Sequence, residues 1–394
     1  MEARLPEAWK TLYCPATVVA GVALATATAN FFLPVYLKSE LRFTGSQIGW
    51  LYALYSMTTL LAVIPAGLRN DRSSPRRLIA WSLVLISAAA LGMTFARGSL
   101  FYGATFLLYG LGLSTFRIST DALMFKTGNG RSPGMRFGWF NALKMGGVGA
   151  GTFAAGYVLW KWGFAGGLLL VAAIACLTLS ATPMLSPVKV GFPGLREYVS
   201  DLKEPAVASF LAWLFLFSLH WGAELTCYGL FLRENLGLSL TGMGWYMGTE
   251  YMALAATCLW AGFHYDRGLD LRLLAAAGLL ASGVGQISMC EASQWPSLAW
   301  RCVHGIGDGL IMTVLYIGVA NLFQQSRVGG NSSAVNLVMM MGSFVGSLIF
   351  GPMGEQFGYD KPLLITGVVV AMLSLPTMAP LASRSWSRAG HHLR

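Results

Sequence analysis

Nine ionisable residues interrupt long apolar stretches of this chain: Arg117, Asp121, Lys144, His220, Glu224, Glu250, Arg301, His304 and Asp308. A charge surrounded by lipid is costly, so each marks a pathway or a pair. Arg301, His304 and Asp308 stand at i, i+3 and i+7, which puts a cation, an imidazole and a carboxylate along one helical stripe. Arg117 and Asp121 are four apart and share a face, with Lys144 at similar depth in the next span. Asn30, Asn141 and Asn336 add neutral polar groups inside spans. The chemistry on offer is proton handling and recognition of a polar solute. A carboxylate facing an apolar cavity holds its proton tightly, and a nearby guanidinium helps it let go. Glu250 is the first candidate for such a switch, Glu224 the second, and the His304–Asp308 pair the third. A structural salt bridge within the second half is the competing reading of the stripe.

These residues need apolar helices to hold them. Hydrophobic residues make up 55% of the 394 positions and charged ones 11%, with a mean hydropathy of +0.58. That composition belongs to a polytopic, all-α membrane protein. Runs long enough to cross a bilayer predict twelve helices near 12–37, 45–68, 78–96, 100–125, 137–159, 164–184, 206–232, 241–263, 272–291, 297–323, 333–353 and 362–382. The 47 glycines and the span prolines Pro34, Pro65 and Pro352 suit close packing and kinks in membranes. Six cysteines without a CxxC pair read as small buried residues rather than disulfides or a zinc site.

The chain repeats itself. Gly67–Leu78 reads GLRNDRSSPRRL and Gly262–Leu273 reads GFHYDRGLDLRL, so Gly67, Asp71, Arg72, Arg77 and Leu78 recur 195 positions later as Gly262, Asp266, Arg267, Arg272 and Leu273. The register holds without gaps at Gly110/Gly305, Gly112/Gly307, Asn141/Asn336, Met145/Met340, Gly147/Gly342, Gly151/Gly346 and Gly156/Gly351. Two six-helix units in parallel orientation follow, the arrangement of transporters whose halves are related by an axis along the membrane normal. The expected units are 1–185 and 206–394. Residues 186–205 join them as a surface linker with a short amphipathic helix at Leu195, Tyr198, Val199 and Leu202.

Eighteen Lys and Arg lie on the side of the Gly67 connector against six on the other, which places the connectors and both termini in the cytoplasm. The formal charge of +10 is this topological signal, and nucleic acid is not an expected partner. A bacterial cytoplasmic (inner) membrane is the expected location, with the lipid bilayer and a small-molecule substrate as partners and a monomer as the working unit.

The Gly67 connector resembles the loop signature of the major facilitator superfamily, G-x-x-x-D-R followed by a basic cluster, found between spans two and three and again between eight and nine. Ser74 and Arg69 depart from the usual pattern, and the second copy lacks the full cluster. RCVHGIG at Arg301–Gly307 is similar to the superfamily's R-x-x-x-G-x-G signature, although Phe106 replaces the Arg at the matching place in the fourth span. The resemblance implies two pseudo-symmetric six-helix bundles that rock about a central cavity, with Gly67, Asp71, Arg72, Arg76, Arg77, Gly262, Asp266, Arg267 and Arg272 as the cytoplasmic gate. Asp121 is implied as a receiver of the basic cluster or as a substrate contact. An Asp at a connector can also complement the partial charge of a facing helix end. The competing reading makes the connector arginines plain inside anchors.

The expected function is secondary active transport of a small polar or amphipathic organic solute by alternating access, with proton-coupled uptake as the first reading. Efflux of drugs or metabolites by proton antiport is the alternative, and a non-transporting receptor or scaffold a remote one. Met339–Met341 with His220 and His304 permit a soft-metal cargo, although such runs are mostly packing. No enzyme is expected, because no nucleophile–base constellation, metal-ligand spacing or phosphate loop is present. Neither a cofactor nor a metal is expected; the proton gradient supplies the energy.

Overall fold

The structure is a computed structural model that describes residues 9–43, 45–128, 132–188, 195–290 and 293–378. The described residues are nearly all helical and contain no strand. The long helices are α1 (Cys14–Ser39), α2 (Gly45–Arg72), α3 (Pro75–Phe95), α4 (Gly98–Lys126) and α5 (Pro133–Ala181). After the linker helix α6 (Leu195–Lys203) come α7 (Pro205–Ala223), α8 (Leu240–Asp266), α9 (Leu271–Ser288), α10 (Gln294–Leu322), α11 (Val328–Phe357), α12 (Asp360–Met372) and the short α13 (Ser374–Met378).

Ten segments are long and apolar enough to cross a membrane. One of them, Pro133–Met184, holds two crossings, the expected fifth and sixth spans. They meet at Gly163, whose φ of 65° and ψ of −178° are open to glycine but not to a residue with a Cβ. The 27-residue α8 adds the twelfth crossing, its apolar run broken by Glu250. Starts are set by local chemistry. Proline opens α3, α5 and α7 where its missing N–H costs nothing, and Ser239 and Asp270 cap α8 and α9 by accepting from Gly242 N and Arg272 N.

Two expected boundaries shift. The seventh span leaves α-helical geometry at Glu224 and passes through wide π turns at Glu224–Tyr228 and Phe231–Asn235. The last span is divided between α12 and α13, and 379–382 lie outside the described residues.

Small residues bring backbones together where the repeat places them. Gly147 and Gly151 of α5 lie on the backbone of α1 at Ala20 and Leu24, and their counterparts Gly342 and Gly346 lie on α7 at Phe215 and Leu219. Gly149 and Gly156 face the other way, onto α8 at Gly248 and Thr241. The glycine-rich fifth span is thus a two-sided packing surface, joining α1 of its own half to α8 of the other.

Candidate functional site

Three polar assemblies are buried in the helices. The first closes the connector face. Asp71, at the end of α2, is fully buried and accepts from Gly329 N (3.1 Å) and Gly330 N (2.6 Å) at the start of α11. It also accepts from the Tyr198 hydroxyl (2.9 Å) of the linker helix and pairs with Lys126 Nζ (2.8 Å) at the end of α4. The second copy repeats the geometry with the halves exchanged: Asp266, at the end of α8, accepts from Gly134 N and Met135 N (2.8 Å each) at the start of α5. A carboxylate on the N-terminal N–H groups of a facing helix satisfies orphan donors and meets the positive end of its dipole. Gly329 stands 195 positions after Gly134, so donor and acceptor both follow the duplication.

Close approach at both places depends on glycine. A Cβ on Gly67 would run into Ser333 and one on Gly262 into the Gly134 carbonyl. The connector basic residues act separately. Arg76 donates to Pro183 O (3.2 Å), Arg267 stacks on Phe263 (3.7 Å to the ring centre) and Arg272 pairs with its neighbour Asp270 (3.2 Å). Arg72 and Arg77 are exposed. None of these meets Asp121, so the expected latch between Asp121 and the basic cluster is corrected here. Lys126, one turn and a half further along α4, reaches the connector instead because it lies at the membrane boundary, level with Asp71.

Asp121 belongs to the second assembly, between the halves. Its carboxylate accepts from Tyr316 Oη (2.6 Å) of α10, and Lys144 Nζ lies 3.3 Å from the same hydroxyl and over the Tyr316 ring. Asp121 and Tyr316 are themselves 195 apart, so the pair straddles the pseudo-symmetry axis. Arg117, Asp121, Lys144, Tyr316, Asn336 and Met339 line a cavity of about 20 Å³, room for about one water. Asn336 donates to Ser332 O (2.9 Å) of its own helix. Asn141 is fully buried, and neither atom of its amide makes a hydrogen bond. Asn30 is apart from all three assemblies, exposed and accepting from the Tyr109 hydroxyl (3.2 Å).

The third assembly lies wholly within the second half and gathers five of the expected pathway residues around Arg301. The Arg301 guanidinium, 2% exposed, contacts Glu224 Oε1 (2.5 Å) of the π turn and Glu250 Oε2 (2.8 Å) of α8, and lies over the Tyr228 ring (4.0 Å). One turn along, His304 Nε2 is 3.0 Å from Glu224 Oε1 and 3.7 Å from Asp308 Oδ2. Asp308 also receives the Ser282 hydroxyl (2.7 Å) and Trp221 Nε1 (3.4 Å), and His220 Nε2 lies 3.7 Å away. The stripe on α10 therefore meets α7, α8 and α9 together. Glu224 is the member most open to the exterior, with 16% of its side chain exposed, and the π turn sets its carboxylate between Arg301 and His304. Ser282, Tyr228 and Tyr316 are partners that reading the sequence did not single out; none is charged.

The family model of the Major Facilitator Superfamily matches residues 16–232 and 213–388. The methyl viologen resistance protein SmvA of Salmonella typhimurium is 24% identical over 328 residues, 77% of this chain and 66% of that protein, so the chain spans just under two thirds of that relative's length. The multidrug resistance protein B homolog of Mycobacterium tuberculosis is 24% identical over 163 residues, 40% of this chain and 30% of that one. Among solved structures, the Escherichia coli fucose:proton symporter FucP superimposes with a TM-score of 0.69 at 14% identity, covering 93% of this chain and 98% of its own. A crystal structure of FucP in the outward conformation gives the same score at 15% identity. With a doubled six-helix pattern, mirrored aspartates at the connectors and a family match over both halves, the chain is a multi-pass membrane protein that belongs to the major facilitator superfamily.

Proposed function

We propose that this protein is a transporter that couples proton movement to the passage of a small polar or amphipathic organic solute, by alternating access. One observation carries the reading: Glu250 is 2% exposed and its charge is met by a guanidinium that it shares with the more accessible Glu224. A proton arriving at Glu250 removes one of the two anions holding Arg301 and frees that cation to regroup. Such a rearrangement inside one half is what a rocking motion can be linked to. Residues 1–185 and 206–394 are the units that tilt, the linker rides between them, and the Asp71 and Asp266 contacts hold the connector face shut. Charge bias supports a reading in which that face and both termini lie on the cytoplasmic side; the proposed location is a bacterial inner membrane and the proposed working unit a monomer. The Arg117–Asp121–Lys144–Tyr316 cavity is the closed remnant of the solute path.

Uptake is the direction first read from the sequence. Export by proton antiport is the second reading, favoured by two relatives whose names denote resistance. The same coupling site serves both. In proteoliposomes, Glu250→Gln is expected to abolish gradient-driven accumulation of a transported solute while preserving counterflow. Persistent gradient-driven accumulation would refute the coupling role. Vesicles of fixed orientation, loaded with solutes found by thermal shift and with methyl viologen as a probe, decide direction: accumulation against an inward-directed gradient from the connector-distal face supports uptake, and extrusion through it supports export.

A further inference from the structure

The two histidines of the third assembly are held in a way that ion pairing alone does not require. His220 Nδ1 lies 2.5 Å from Phe217 O, and His304 Nδ1 lies 2.9 Å from Ser282 O. A ring nitrogen against a carbonyl carries its proton there, so in each neutral imidazole the other nitrogen, Nε2, presents a lone pair. Both Nε2 atoms lie 3.7 Å from Asp308 Oδ2 inside the bundle, and that of His304 also stands 3.0 Å from Glu224 Oε1. Ring lone pairs aimed at a carboxylate repel it unless positive charge sits between them.

Charge counting points the same way. Glu224, Glu250 and Asp308 contribute three negative charges and Arg301 one positive, which leaves the buried assembly short of two positive charges. From His220, His304 and Asp308, all buried, one donor atom each lies within 4.8 Å of the others, and Glu224 Oε1 stands 3.0 Å from His304 Nε2 as a fourth. Two imidazole nitrogens with carboxylate oxygens form the donor set of zinc-like transition ions rather than of magnesium or calcium. Four ligands at about 2.0–2.1 Å around a tetrahedral centre stand roughly 3.3 Å apart, so closing separations of 3.7 Å, and of at most 4.8 Å between the two imidazoles, takes side-chain rotations and no backbone change. The supporting contacts fit as well: backbone carbonyls hold both Nδ1–H groups, and Ser282 and Trp221 orient the Asp308 carboxylate.

We propose that His220, His304 and Asp308, with Glu224 beside them, bind one divalent transition-metal ion of the zinc class inside the second half. The test uses detergent-purified full-length protein, tag removed, with His391 and His392 changed to Ala so that the terminal pair cannot contribute. Titration with Co²⁺ alone is expected to give one saturable equivalent with the strong visible bands of a four- or five-coordinate site, displaced by one equivalent of Zn²⁺. Zn²⁺ but not Mg²⁺ raises the unfolding temperature. H304Q and D308N each lose the bands, whereas H264Q keeps them. X-ray absorption at the zinc edge of the unsubstituted site shows two imidazole nitrogens near 2.0 Å, which tests the idea even where a variant fails to fold. No saturable cobalt spectrum, bands that survive in H304Q and D308N, or an edge spectrum without imidazole would each overturn it and assign the cluster to protonated ion pairs. Binding is read without transport, so its failure leaves proton coupling through Glu250 standing, and the reverse.

Discussion

Replacing Asp71 with Asn keeps the size of the side chain and one acceptor oxygen but removes the charge that four groups converge on. Gly329 N binds Oδ1 whereas Gly330 N and Tyr198 Oη bind Oδ2, so an amide serves one set with its oxygen and turns an NH2 donor on the other, and the three bonds are weakened or lost at about 1 kcal/mol apiece. Lys126 matters more. Its ammonium and the Asp71 carboxylate have no exposed side-chain surface, and breaking a buried pair by removing one partner costs about 3–5 kcal/mol. Lys126 also keeps a bond to Asn70 O, but its pair with Asp71 lies within the first half and bears on the stability of that half. Only the bonds to Gly329, Gly330 and Tyr198 join α2 to α11 and to the linker and part when the face opens, about 3 kcal/mol in sum. The closed-to-open ratio therefore falls roughly 100-fold at about 1.4 kcal/mol per decade.

Spin labels at Arg77→Cys and Arg267→Cys, in a background lacking the six native cysteines, report the separation of the two connectors by pulsed dipolar spectroscopy. The Asp71→Asn protein should populate a longer distance that the parent lacks. Adding Lys126→Met, which removes the cation stranded within the first half, should raise the unfolding temperature of the variant without returning the distance shift. Identical distance distributions for parent and Asp71→Asn would refute the argument that this carboxylate holds the face closed.

Three further outcomes follow from the same packing. Gly262→Val drives a side chain into the Gly134 carbonyl, an overpacking that costs about 1–3 kcal/mol and should lengthen the connector distance in the same assay. Tyr316→Phe leaves the buried Asp121 carboxylate without its 2.6 Å donor, at a cost of about 1.5–3 kcal/mol, which a lower apparent unfolding temperature would register. Arg327 grips Asp201 through two nitrogens (2.7 Å each) and Glu197 through a third (2.9 Å), so Arg327→Ala should loosen the linker helix by about 1 kcal/mol. That change is read as several-fold faster amide exchange in Leu195–Lys203, with high salt acting in the same direction on the parent.

The architecture was legible because two strong signals agree: run length set the spans, and a gapless offset set the duplication. Where local geometry departs from an ideal helix the sequence was silent. The two crossings of Pro133–Ala181 join through Gly163 with no polar loop between them, and the π turn at Glu224 begins two residues after Gly222, which lies against α11, and has no sequence motif. At the site, the stripe on α10 was readable as a stripe, because i, i+3 and i+7 is a property of one helix. Its partners were not, since Glu224, Glu250 and Ser282 reach it from three other helices. Tyr316 hides for a different reason, being neither charged nor part of a motif. Two signals were available and unused: Gly134 and Gly329 share the offset, as do Asp121 and Tyr316.

Comparing the halves position by position shows where symmetry is kept and where it is broken. At the connectors it is kept: aspartate, glycine and facing helix start recur in both copies, and each closes onto the other half. A rocking pair needs this, because both sides of one interface must part together. Within the bundles it is broken. The counterparts of His220, Glu224, Glu250, Arg301, His304 and Asp308 are Ala25, Ala29, Tyr55, Phe106, Tyr109 and Leu113, none of them charged. There Tyr55 and Tyr109 pack ring to ring (6.2 Å) and Tyr109 holds Asn30, so the first half has an aromatic, hydrogen-bonding wall where the second has an ionic centre. Ser87 keeps the place of Ser282 but leans on Ala172 O (3.4 Å), having no carboxylate to serve. At these positions one half carries an ionic centre and the other a neutral, hydrogen-bonding wall, while the charged Arg117, Asp121 and Lys144 lie at the interface between the halves. Under the proposed coupling through Glu250, the ion site lies beside the solute path rather than across it. Substitutions that move the aromatic wall, such as Tyr109→Phe, should then change which solutes are accepted while leaving the response to the proton gradient intact.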